Sequence, residues 1–117
     1  MQRATEQWKV STVNFRAEQD GPPERELKQA LADVFAQLGS VTTAYLALVD
    51  YGRPAEQSVA LCIVIDEADP AEIVATAGRV FHSMFNEEAH LDILPLSKEA
   101  QSRISPVCRP FFTRKPQ

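Results

Sequence analysis

Few residues in this chain have side chains suited to chemistry, and they fall into small groups. His82, Glu87, Glu88 and His90 form an H-x4-EE-x-H set. Two imidazoles and two carboxylates are a reasonable donor set for a divalent metal. The spacing matches no common zinc motif, so the stretch reads as a polar surface connection, with no metal ligand and no cofactor expected. Cys62 lies between Leu61 and Ile63 in an apolar run, where a small buried residue is the natural reading. Cys108 is followed by Arg109, a neighbour that favours a thiolate, but no adjacent His or acid is spelled out as a base. Asp50, Tyr51 and Arg53 mark the exit of an apolar strand, a common place for ligand contacts and equally for plain solubility. Asp66 and Asp69 form an acidic pair, of which Asp69 is suited to capping a helix. The single glycines of GPPE and YGRP make no phosphate-cradling loop.

The elements that must hold these residues are legible from periodicity. WKVSTVNF (8–15) alternates as a strand, and EQDGPPE then turns the chain. Leu27, Ala30, Leu31, Val34, Phe35 and Leu38 recur at three- and four-residue steps, predicting a helix over 24–38 that Gly39 stops. VTTAYLALVDY and SVALCIVID read as strands joined by a loop containing Gly52 and Pro54. DPAE opens a second amphipathic helix carrying Ile73, Ala77, Val80, Phe81 and Met84. LDILPLS is a last strand, its Pro95 suited to a sheet edge or a bulge. Ser97 caps a short helix that Pro106 ends.

The order β-α-β-β-α-β points to an α+β protein of the ferredoxin-like split βαβ type. That fold has a four-stranded antiparallel sheet with two helices on one face, to which a short C-terminal helix and a packed tail, CRPFF, would be added. One domain is expected over 8–115, with 1–7 as an N-terminal extension and 116–117 as the C-terminal end.

Composition narrows the function. The 12 Lys and Arg against 16 Asp and Glu leave a net charge of -4, a poor match for nucleic acid or an anionic membrane surface. The central strand offers Ala60, Cys62 and Val64 but no ring on which a base could stack. Nothing resembles a signal peptide or a bilayer-spanning run, and two cysteines suit a reducing cytoplasm.

Both middle strands are apolar on both faces, yet only two substantial helices are available, enough for one face. Burying another Val, Tyr or Leu contributes about 1.5–3 kcal/mol, so the second face must be covered too. Tyr45, Val49 and Val64 are expected on it, with Phe111 or Phe112 laid against it, or with a protein partner or second copy as the cover. This makes the five residues the expected interaction surface.

The pieces LGSVTTAYLALVD, DPAEI, LDILPLS and CRPFF, in that order over about 10–114, resemble the C-terminal domain of the bacterial enhanced-serine-sensitivity (SseB) family. Members often carry a separate domain ahead of this one, which this sequence does not include. The resemblance implies a bacterial cytoplasmic protein linked to serine tolerance and supplies no catalytic residue to transfer. The leading expectation is a non-enzymatic interaction or adaptor domain. A small-ligand sensor, with serine as a candidate and Arg53 as the cation for its carboxylate, is the alternative. A thiol-dependent enzyme using Cys108 is the third.

Overall fold

The computed structural model describes residues 13–66, 69–86 and 88–114. Its elements are β1 (Asn14–Glu18), α1 (Pro22–Leu38), β2 (Val41–Asp50), β3 (Ser58–Ile65), α2 (Pro70–Met84), β4 (Asp92–Pro95), α3 (Lys98–Ile104) and β5 (Phe112–Thr113). The strand expected over 8–15 falls mainly outside the described residues, and β1 takes up the chain at Asn14.

Local chemistry sets the helix ends. Prolines open α1 and α2, where a missing N–H costs nothing. Gly39 closes α1 in a left-handed conformation (φ 77°) that a side chain would strain, and its N–H reaches Phe35 O at 3.1 Å. The Asp69 carboxylate accepts from Ala71 N at 3.0 Å, and the Ser97 hydroxyl accepts from Ala100 N at 3.1 Å.

The sheet corrects the all-antiparallel expectation. Strands β1, β2, β3 and β4 lie side by side in chain order, and β5 also pairs with β2. β1–β2, β2–β3 and β2–β5 are antiparallel, whereas β3–β4 is parallel. A parallel pair needs a long crossover, which α2 supplies. Among the described residues the protein is therefore α+β with a mixed sheet and three helices, and β4, with Pro95, forms an edge of that sheet.

Alternation along β2 and β3 divides the core in two. Leu46, Leu61 and Ile63 pack on one face with Leu31 and Phe35 of α1 and with Ile73 and Phe81 of α2. Tyr45, Val49, Ala60 and Cys62 pack on the other with Ala100 and Ile104 of α3, flanked by Leu96 and Cys108. Val64 lies against this second cluster as expected. The placement of the aromatic tail does not hold: Phe111 and Phe112 join the first cluster, where the Phe112 ring meets Phe35 edge-on at 5.9 Å. The second face is closed by α3 from within the chain.

Candidate functional site

Tyr45 and Val49, expected to face a partner, are buried. The Tyr45 hydroxyl accepts a hydrogen bond from the Gln101 side chain of α3 at 3.1 Å. The cover was written in the sequence as Leu96, Ala100, Ile104 and Cys108, a ladder at four-residue steps. Short helices are easily dismissed as appendages, yet this one presents its apolar stripe to the sheet. With α3 seated there, the described sheet has no bare central face of the kind that serves as a base-stacking platform.

The C-terminal segment is a strap around the edge of β2. The Cys108 thiol donates to Leu46 O at 3.5 Å, on the second face. Three residues later, Phe111 N donates to Ala44 O at 2.9 Å, and its ring belongs to the first cluster. Arg109 and Pro110 make the crossing. The Arg109 guanidinium forms a fork on Glu18, at 3.0 and 3.1 Å, and its backbone N–H adds a third bond at 3.2 Å. These bonds hold the Glu18 carboxyl below the usual carboxylate range against a smaller opposing effect of burial. Lys28 ties the same corner to α1 by reaching Asp20 at 3.2 Å.

This arrangement decides the state of Cys108. The thiol is 3% exposed, and burial pushes it up to about 11, with the nearby Glu18 charge adding to the rise. Arg109, the expected activator, is spent on Glu18 and lowers the thiol least of the contributing groups. Cys62 is buried in the same cluster and pushed up to about 12, chiefly by burial. Both thiols are free and protonated at neutral pH.

Asp50, Tyr51 and Arg53 do not converge. The Asp50 carboxylate is fully buried and accepts from the Asn14 amide at 2.9 Å, Gly52 N at 2.9 Å and the Arg16 guanidinium. The Asn14 bond, helped by Gly52 and Arg16, holds it below the ordinary range despite its burial. Its role is to lock β1 and the turn after β2. The Tyr51 hydroxyl reaches instead to Asp92 Oδ2 at 2.6 Å. Arg53 is 79% exposed and lies 3.7 Å from Glu56. The histidines separate likewise: the His82 ring sits edge-on against Phe81, while His90 Nε2 lies 2.5 Å from Asp92 Oδ1. Glu87 falls outside the described residues. Among the described residues no three His, Cys, Asp or Glu side chains gather as a metal site. Asp92 is the polar residue that sequence reasoning missed. Its alternation with His90, followed by β-branched and apolar residues, was the available signal.

A groove of about 1100 Å3 lies between the C-terminal half of α1 and the strap. Phe35 and Phe112 line it with Ala32 and Ala36, and Thr43 and Arg114 give it a polar side. Arg114 is anchored there by bonds to Gly39 O at 3.0 Å and Asp66 at 3.3 Å. Its lining holds no thiol, imidazole or carboxylate.

A mixed-sheet α+β domain, closed on one face by its own short helix and strapped at its edge, is the class these observations define. The model of the SseB protein C-terminal domain matches residues 4–114, and the chain belongs to that family. Neither the curated proteins nor the solved structures yield a match. No described helix is long and apolar enough to cross a membrane.

Proposed function

We propose that this is a non-enzymatic interaction domain of the bacterial cytoplasm that receives an apolar segment of a partner protein in the groove between α1 and the strap. The observation that carries the reading is the groove itself. It is lined by Phe111 and Phe112 of the strap and by alanines of α1 that allow close approach. Beside the hydroxyls of Thr42, Thr43 and Thr113, its described residues carry no thiol, imidazole or carboxylate to act as a base. The reading also moves the interaction surface. Tyr45 and Val49 are occupied by α3, whereas Phe111 and Phe112, packed against the first cluster, line the groove.

The test uses Ala36→Trp, which fills the groove from an exposed helix position, and Ser102→Trp on the outer side of α3 as control. Proteins captured from the native cell by the wild-type chain and by Ser102→Trp, but lost with Ala36→Trp at unchanged melting temperature, support the groove. Equal capture by all three forms would reject it.

A further inference from the structure

The groove between α1 and the strap differs in charge from the chain around it. The sequence carries 12 Lys and Arg against 16 Asp and Glu, yet among the described residues lining the groove Arg114 alone is charged. Alternation along the strap puts Phe112 and Arg114 on the same side, toward α1. The Phe112 ring meets Phe35 there at 5.9 Å, and the Arg114 guanidinium donates to Gly39 O, at the C-terminal end of the same helix, at 3.0 Å. A cation at that end also meets the negative pole of the helix, which helps to hold it. From Ala32 to Gly39 the helix advances about 10 Å, the length of about three residues of extended chain. The groove is therefore apolar along α1 and ends on a guanidinium. Arg114 is not used up by its internal partners. Its bonds to Gly39 O and to Asp66 take one N–H on Nη1 and one on Nη2, and the planar guanidinium carries others. The pair with Asp66 is 3.3 Å long, with side chains 40% and 47% exposed, a setting in which an ion pair is weak and easily exchanged.

We propose, resting on the groove reading above, that the partner segment is acidic at one end. An apolar stretch of about three residues lies along Ala32, Ala36 and Phe112, and a carboxylate at its end is received by Arg114. The carboxylate shares the guanidinium with Asp66 or displaces it, while the bond to Gly39 keeps the fork in place. Side-chain and C-terminal carboxylates offer the same chemistry to this fork. A wholly apolar segment would strip water from the guanidinium and return nothing to it, and a basic one would be repelled.

The test is selection from a displayed library of short random peptides, presented both internally and with free C-termini. The wild-type chain is expected to enrich peptides in which an apolar run ends on Asp, Glu or the terminal carboxylate. Arg114→Gln should keep the apolar preference and lose the acidic one. By calorimetry it should bind a selected acidic peptide about tenfold more weakly, the scale of one charge-assisted bond. Asp66→Asn removes the internal competitor and should bind that peptide at least as tightly as the wild type. Weakening by both substitutions would mean that the pair only shapes the strap, and would overturn the proposal. Wild-type selection of apolar peptides with no acidic preference would overturn it as well, while the groove itself would stand if Ala36→Trp selected none of them. A library that yields nothing with the wild type, or the same peptides with Ala36→Trp, would reject the groove and this inference together.

Discussion

Under α1 and α2 the sheet sets Leu46, Leu61 and Ile63 against Phe35 and Phe81, whereas under α3 it sets Ala47, Ala60 and Cys62 against Ala100 and Ile104. The first cover is two helices of 17 and 15 residues; the second is one helix of 7. The difference shows how one sheet closes both faces with unequal material. Large side chains on one face fill the space beneath two long helices. On the other, the small Ala47, Ala60 and Cys62 between Tyr45 and Val49 let a two-turn helix settle close enough to exclude water with few atoms. The smaller face tolerates growth poorly, and the larger face tolerates loss poorly.

Removing volume from the larger face carries the greatest expected cost. Phe35 is completely buried and also receives the Phe112 ring of the strap. Phe35→Ala is expected to destabilise by about 3–5 kcal/mol in denaturant unfolding. Adding volume to the smaller face comes next. Ala60, facing Ala47 across the ladder, has no exposure. Ala60→Leu is expected to cost about 1–3 kcal/mol by lifting α3. If Ala60→Leu proved neutral, the close seating of α3 would be wrong.

Much of this contrast was legible in the sequence. The 3.6 period of α1, the caps at Asp69 and Ser97 and the stop at Gly39 are local signals, and each appears where its residue type predicts. The division of Leu61 and Ile63 from Ala60 and Cys62 follows from strand alternation alone. Strand order was not legible, because β-α-β-β-α-β describes equally a split antiparallel sheet and one whose last crossover returns parallel beside β3. That choice rests on how α2 packs, which no short window encodes. The side taken by Phe111 and Phe112 depended on where the chain crosses the edge of β2, a tertiary event at Arg109 and Pro110. Of the proposed site residues, Asp50 misled because a carboxylate at a strand exit reads as exposed. Its partners, Asn14 and Arg16, come from a strand more than thirty residues upstream.

Asp50 offers a test in which the sign is fixed by pH. Its carboxyl is held low in the folded state, so its contribution is present above the ordinary aspartate range and is lost as pH falls through the folded value. Asp50→Ala is expected to lower the melting temperature at neutral pH. Its gap from the wild type should narrow below about pH 4. A gap that stayed constant down to strong acid would mean that packing, not charge, is what Asp50 supplies to the corner.

The smallest effect on stability concerns Cys108, and it separates the strap as cover from the strap as chemistry. Burial raises the thiol to about 11, so stability linked to it is complete below the ordinary thiol value of 9.0 and declines as pH climbs toward the folded value. Cys108→Ala should make the alkaline decline of stability shallower. At about pH 8 the native thiol is expected to react with iodoacetamide on the order of a hundredfold more slowly than an ordinary cysteine, as measured by mass spectrometry of the modified chain. Arg109→Ala should leave that slow rate within about twofold, because the guanidinium serves Glu18 and contributes least to the thiol. A rapid reaction in the wild type that Arg109→Ala abolished would turn the crossing at Arg109 and Pro110 from a structural bend into an activated thiol site. The closed second face argues against that result, since access to the sulfur would require α3 or the strap to leave the sheet first.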